Sequence, residues 1–272
     1  MLKTRALTAA VLLAVFGAAL FLLPHVLWVA FCAVLLGVAV WEWGALAALG
    51  VAGRTAYTVF LILLFLLLVL GGPRADGLYA PVWAYYASVF FWVLLVPLWI
   101  WRRHHRASQN MLIGAGVLML LPACAALVDL RGAHPALLLA VLGTVWISDS
   151  AAYFVGRRFG RRKLAPSISP GKTWEGVVGA LVAVALYALA WAGLGAPENP
   201  WVSGARAAPQ WFPAVLLALA VVGIIGDLFE SLIKRQAGVK DSGTLLPGHG
   251  GILNRIDAPV AILPLAVLAF MR

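Results

Sequence analysis

The sequence predicts an all-α fold, a polytopic bundle of about nine transmembrane helices with the N-terminus cytoplasmic. Three observations carry that prediction. The first is composition: of 272 residues, 64% are hydrophobic and only 11% are charged, against about 25% charged in a soluble domain. A soluble fold of this size has no interior large enough for so much apolar surface, so the bilayer is the expected solvent. The second is run length: apolar stretches near the roughly 20 residues that a helix needs to cross the hydrocarbon recur along the chain. The third is the placement of a net charge of +10. The cations sit in short clusters between apolar runs, a pattern of membrane orientation and not of nucleic-acid binding.

Taken in order, the spans fall at 6–23, 26–49, 55–71, 80–101, 110–129, 135–156, 174–194, 210–233 and 252–271. The first, in "MLKTRALTAAVLLAVFGAALFLLP", has the look of a signal peptide but is read as an uncleaved span, because further spans follow at once. The loop "GGPRADG" separates the third from the fourth, and "GAPENPWVSGARAAPQ" the seventh from the eighth. Cys32 and Cys124 each lie inside an apolar run and have no metal spacing, so they read as packing residues. No internal repeat and no soluble domain is evident. The organisation expected is N-terminal transmembrane helices over 1–133 and a C-terminal catalytic transmembrane region over 134–272. With the N-terminus inside, only Arg74, Arg131, Arg206 and Arg272 of the 20 Lys and Arg fall on the far side. That bias obeys the positive-inside rule and puts the polar loops 157–173 and 234–257 in the cytoplasm, where nucleotides are.

The chain has only 10 acids, and they sort by place. Asp76 and Glu198 read as solvated loop charges. Glu42 and Asp129 stand near span ends, where a structural role is expected, although intramembrane acids lean functional. Asp149, in "VWISDSAAYFVGRRFG", is a carboxylate inside the sixth span and reads as part of a polar pocket at the inner face; an ion pair holding helices together is the alternative. In "GDLFESLIKR", Asp227, Glu230, Ser231 and Lys234 share one helical face, with Glu230 and Lys234 spaced as an i, i+4 pair. Asp227 and Asp257 supply two carboxylates beside basic loops, as a magnesium ion bound through one or two carboxylates plus substrate phosphates requires.

Two loops look made for phosphate. In "KDSGTLLPGHGGILNRID", Gly248, Gly250 and Gly251 let backbone N–H groups approach an anion, while Lys240, His249 and Arg255 add donors. In "SPGKTWEG", Ser169, Lys172 and Thr173 open the seventh span, where a helix N-terminus favours phosphate. The "GKT" string is not a P-loop, since the upstream Gly is missing at the required spacing and no buried strand precedes it. Together these features describe a site for a metal-complexed polyphosphate.

These residues resemble a family, the phosphatidate cytidylyltransferases, which make CDP-diacylglycerol. The family signature runs from a Ser through Lys-Arg, Lys-Asp and His-Gly-Gly to a closing Asp-Arg-x-Asp. Here it reads "SLIKRQAGVKDSGTLLPGHGGILNRID", residues 231–257, with "DSAAYFVGRRFG" at 149–160 and "SPGKTWEG" at 169–176 upstream. The resemblance runs from Trp146 to Pro259 at least, and the first 140 residues share only a succession of spans. One position departs: Asn254 stands where the signature has its first closing Asp.

The resemblance implies a membrane nucleotidyltransferase of phospholipid synthesis that converts phosphatidate and CTP to CDP-diacylglycerol and pyrophosphate. It implies magnesium held by Asp227 and Asp257, with Asn254 as a weakened third ligand, and leaves room for a monovalent cation such as K+. Lys172, Ser169, Thr173, Gly250 and Gly251 are then phosphate-binding, and Lys172 joins Asp227, Asn254 and Asp257 in the catalytic set. Lys234, Arg235, Lys240, Asp241, His249 and Arg255 are candidates for phosphate or headgroup, and Asp149 shapes the pocket. The expected partners are CTP, phosphatidate, the membrane and a second copy in a homodimer, with no nucleic acid. The expected location is a bacterial inner membrane, with the active site facing the cytoplasm. Alternatives stay open: a member weakened or silenced by Asn254, a CTP-dependent polyprenol kinase, or a transporter, although neither repeated halves nor a broken-helix pair supports the last.

Overall fold

The computed structural model describes residues 2–102, 107–194, 211–245 and 250–272, apart from the side chains of 2–9, 12 and 192–194. Nine helices appear among the described residues: α1 (Leu2–Leu22), α2 (His25–Leu46), α3 (Val51–Val69), α4 (Val82–Arg102), α5 (Gln109–Ala133), α6 (Pro135–Phe159), α7 (Trp174–Leu194), α8 (Phe212–Gln236) and α9 (Leu253–Met271). The helices from α2 to α9 are each long and apolar enough to cross a membrane, while α1 contributes a shorter apolar stretch, Leu13–Leu22. The loop holding Glu198 and Arg206 and the cations Arg103 and Arg106 lie outside the described residues.

Local sequence explains the element ends. Ser108 caps α5 by accepting a hydrogen bond from the Met111 N–H at 3.3 Å. His134 does the same for α6 through the Ala136 N–H, with Pro135 pre-set for the first helical position. Within α4 the residues Phe91–Leu95 form a π-helical turn, the kind of local bulge often found near functional sites. The helix α9 has no cap from its own Ile252, and its cap comes from elsewhere, as described below.

The most buried helix is α5, which packs against α2, α3, α4, α6 and α9. Because lipid tails are as apolar as Leu, burial does not drive helices together in a membrane; close packing and interhelical hydrogen bonds do. Trp43 on α2 donates from Nε1 to the Leu112 carbonyl at 2.7 Å, Tyr57 on α3 donates its hydroxyl to Ile113 at 2.8 Å, and Trp28 donates to Leu127 at 3.3 Å. Each such bond is worth about 0.6 kcal/mol in a membrane helix bundle. Cys32 and Cys124 are buried and unbonded to each other, as packing residues should be.

An aromatic cluster joins the two halves of the chain. Phe229 of α8 lies with its ring centre 5.8 Å from Phe91, 5.7 Å from Trp92, 5.4 Å from Trp99 and 6.3 Å from Trp43. Three of these contacts are edge-to-face, the arrangement that aromatic quadrupoles favour.

The exception to the helical plan is a small antiparallel hairpin. β1 (Lys163–Ala165) pairs with β2 (Ser169–Thr173), with Lys163 opposite Thr173 and Ala165 opposite Ser169. Ser169 and Lys172 therefore stand on a strand that leads into α7, not on the first helical turn expected from the sequence. Three alternating residues are too few to announce a strand, and the hairpin is fixed by what it rests on: Ala165 and Ile168 are buried against Leu228 and Leu232 of α8.

Candidate active site

The hairpin places Lys172 over α8. Its Nζ lies 2.5 Å from Oδ2 of Asp227, and both side chains are partly buried. The docking of Ala165 and Ile168 on α8 supplies the apolar part of this contact. Arg235 adds a polar part, donating from Nε to the Ile168 carbonyl at 3.5 Å. Ser231, one turn beyond Asp227, donates its hydroxyl to Asp227 Oδ1 at 3.4 Å.

The facing carboxylate comes from α9. At Gly226, a Cβ would meet the Asp257 carbonyl and the Ala261 Cβ, each at 2.8 Å, so only glycine lets the two backbones approach this closely beside Asp227 and Asp257. Asp257 lies close enough to Asp227, Glu230 and Asp149 for their charges to interact, and accepts a hydrogen bond from the Ala258 N–H at 2.9 Å. Asp149, exposed on α6, lies within the field of Asp227, Lys172 and Arg255. Glu230 and Asp257 also line one small cavity, about 10 Å³, together with Trp43, Trp92 and Phe229. That is room for about one water. The three acids predicted from separate stretches of sequence thus converge, with Lys172 among them.

Other predicted residues are taken up by the protein itself. Lys234 is buried and pairs with Glu230 at 3.0 Å, as their spacing on one face predicts, and it also donates to Asn254 Oδ1 at 2.9 Å. Asn254 Oδ1 accepts a second bond from the Ser242 N–H at 3.3 Å, while its Nδ2 donates to Asp241 Oδ1 at 3.3 Å. Thr173 Oγ1 accepts from the Gly176 N–H at 3.1 Å and so caps the start of α7. Lys240 and Arg255 are exposed on the loop and at the start of α9. Gly248 and His249 lie outside the described residues.

Two glycines of the signature loop, Gly243 and Gly251, have an anion against them, and it belongs to the protein. Glu42 of α2, only 5% exposed, accepts hydrogen bonds from Ser242 Oγ at 2.8 Å, the Ile252 N–H at 2.9 Å and the Leu253 N–H at 3.0 Å. A Cβ at Gly251 would collide with its Oε2, and one at Gly243 would stand 2.8 Å from its Oε1. Gly250, at φ +78°, turns the chain beside Asn254 and Asp241. Sequence reasoning placed Glu42 near a span end and no further; the one signal was a carboxylate within an otherwise apolar run.

The same geometry is found on a sequence with known relatives. A sequence profile of the cytidylyltransferase family matches residues 3–271. The chain belongs to that family. It is 40% identical to the phosphatidate cytidylyltransferase of Pseudomonas aeruginosa across 97% of this chain and 95% of that protein. It is 37% identical to the phosphatidate cytidylyltransferase of Haemophilus influenzae, across 97% and 96% respectively. A phosphatidate cytidylyltransferase of Thermotoga maritima is 40% identical over 139 residues, 51% of this chain and 50% of that protein. The family match therefore extends through the first 140 residues, where the sequence alone offered only a succession of spans. It also takes in Glu42.

Oxygen is the only donor type that these acids offer, which suits a hard cation. Among the described residues no three His, Cys, Asp or Glu side chains form a ready-made cage. Magnesium needs none, because it keeps waters and shares its shell with substrate phosphates. The ammonium of Lys172 against Asp227 marks where positive charge is wanted.

Proposed function

We propose that this chain is a phosphatidate cytidylyltransferase, a membrane enzyme that makes CDP-diacylglycerol and pyrophosphate from phosphatidate and CTP. Family membership and relatives of that name matched over 97% of the chain support it. The observation that carries it to particular residues is the convergence of Lys172, Asp227, Asp149 and Asp257 from three helices and a hairpin. Neither a kinase nor a transporter is needed to account for that arrangement.

In the reaction, an oxygen of the phosphatidate phosphate attacks the α-phosphorus of CTP. A new P–O bond forms, the α–β anhydride bond breaks, and the electron pair leaves with pyrophosphate. Both reactants are anions, so the approach is repelled unless positive charge is already in place. Asp227 and Asp257 would hold magnesium, which would supply charge neutralisation for nucleophile and leaving group; the Asn254 carbonyl, expected as a third ligand, instead accepts from Lys234 and the Ser242 N–H. A monovalent ion such as K+ belongs to the same reading as an accessory. Lys172 stands where its ammonium can pass from Asp227 to a phosphate oxygen. Ser169 at the foot of the strand and the exposed Arg235, Lys240 and Arg255 offer donors to the polyphosphate and the lipid headgroup. Lys234, held between Glu230 and Asn254, positions Asn254.

The positive-inside bias supports a cytoplasmic site in a bacterial inner membrane, with CTP arriving from water and diacylglycerol chains from the bilayer. Cross-linking in membranes checks the homodimer that the resemblance implies. The direct test incubates purified protein with phosphatidate, labelled CTP and magnesium. Release of pyrophosphate with labelled lipid is expected. Release of CDP would make the protein a kinase, and no turnover would make it a silenced member.

A further inference from the structure

We propose that Glu42 is a positioning residue of the active site: its carboxylate ties the signature loop and the start of α9 to α2, and thereby sets where Asn254 and Asp257 stand. The helix α2 contributes no residue to the signature, and its role is legible only in the contacts.

The first support is the set of donors. Among the described residues, two of the three bonds to Glu42 come from Ile252 and Leu253, the N-cap and the first residue of α9. The first N–H groups of a helix have no partner within it and carry its positive dipole end, so an anion there is stabilised. An N-cap residue ordinarily supplies this from its own side chain, which Ile252 cannot do. Glu42 supplies it from 210 residues away. The third donor is the Ser242 hydroxyl. Ser242 in turn donates its N–H to Asn254 Oδ1, so the residue held by Glu42 at its hydroxyl holds Asn254 at its amide.

The second support is space. The loop comes against the carboxylate at Gly243 and Gly251, where any side chain would strike Glu42. Glycine at these two places is explained by the approach to Glu42, without a substrate anion. A rigid anchor beneath the loop is what a reaction between two repelling anions needs, because displacements near 1 Å at the reacting groups cost about 100-fold in rate.

The inference rests on the function proposed above only in its kinetic arm. The test uses the full chain in nanodiscs, with Glu42→Gln and Ser242→Ala as the primary variants. Hydrogen exchange is followed on peptides covering Ile252 and Leu253, with the 72–80 loop as an internal control. Glu42→Gln should raise exchange at Ile252 and Leu253 by about 10-fold or more and leave 72–80 unchanged. It should lower kcat by about 10–100-fold, the usual loss when a residue supporting metal ligands is removed, while KM for phosphatidate stays within about threefold. Ser242→Ala, which keeps both backbone bonds, should show a smaller rise and a smaller loss. Combining Glu42→Gln with Gly251→Ala should be no worse than the more damaging single change, because both act on one contact. Unchanged exchange at Ile252 and Leu253, a rise spread evenly over all helices, an undiminished kcat, or fully additive losses would each overturn the proposal. The exchange arm needs no turnover, so it decides the anchor even if the assay for pyrophosphate fails.

Discussion

The two ends of the bundle use the same device for different ends. At the signature end, Glu42 accepts two backbone N–H groups and a Ser hydroxyl. At the opposite end, Asp129 of α5, equally buried, accepts the Tyr79 N–H at 2.6 Å, the Ala80 N–H at 3.4 Å and the Tyr85 hydroxyl. Each carboxylate fastens a loop from a distant part of the chain. Around Asp129 lie aromatic rings and backbone, and the charges nearby are committed elsewhere: Arg74 to the Leu68 carbonyl, Asp76 to Arg272, and Arg131 to the carbonyls of Leu20 and Leu23. Within reach of Glu42's charge lies Glu230, paired with Lys234, and Glu230 in turn leads to Asp227 and Asp257, with Lys172 on Asp227, more charge than the fastening needs. A buried acid in a membrane protein therefore does not by itself mark a site. Charge left over after the structural bonds are counted does.

The comparison can be broken or sharpened by substitution. The largest effect is expected from Asp227→Ala or Asp257→Ala, which should reduce magnesium-dependent pyrophosphate release by at least about 100-fold with the melting temperature kept; equal turnover in either variant removes the proposed metal site. Next comes Asn254→Asp. It puts a full negative charge one turn from Asp257 and against Lys234, so the magnesium concentration for half-maximal rate should fall by about 3–10-fold, a gain of about 1 kcal/mol. The same change replaces the amide that donates to Asp241 with a second carboxylate, so without magnesium the melting temperature should drop. A magnesium titration and a melting curve read both. Asp129→Asn at the far end should cost about 1–3 kcal/mol of stability through poorly matched buried donors, seen in thermal unfolding, yet leave turnover per folded molecule unchanged. The smallest effect belongs to Arg272→Ala. Its 2.6 Å pair with Asp76 is partly exposed, and such pairs contribute about 0–1 kcal/mol.

That pair also bears on what the sequence could say. Asp76 reads as a solvated loop charge, but it accepts the Leu78 N–H and meets Arg272 almost two hundred residues later. The spans were legible because crossing a bilayer demands long apolar runs, and every expected span has its helix. Asp227, Asp257 and Lys172 stood out in the sequence as charges among apolar neighbours, Asp257 closing the signature at 231–257 and Lys172 in the stretch at 169–176, and the structure brings Lys172 onto Asp227. The hairpin was not legible, because its two short strands are held by Leu228 and Leu232 of α8 and not by their own alternation. Glu42 was not, because its partners among the described residues lie 200 to 211 residues away. Lys234, a candidate for phosphate or headgroup by resemblance, pairs with Glu230 as the spacing allowed, but its bond to Asn254 is one that only a folded neighbourhood reveals.

The ring cluster around Phe229 has a mechanical consequence. Phe229 lies between Asp227 and Glu230 on α8, so a twist of that helix by one residue, about 100°, would pull its ring away from Phe91, Trp92, Trp99 and Trp43 together. Edge-to-face pairs contribute about 0.5–1.5 kcal/mol each, which makes the helix a stiff spindle whose acids keep a fixed bearing. Whatever yields when a nucleotide enters and pyrophosphate departs is then the lighter part resting on that spindle, the hairpin with Lys172.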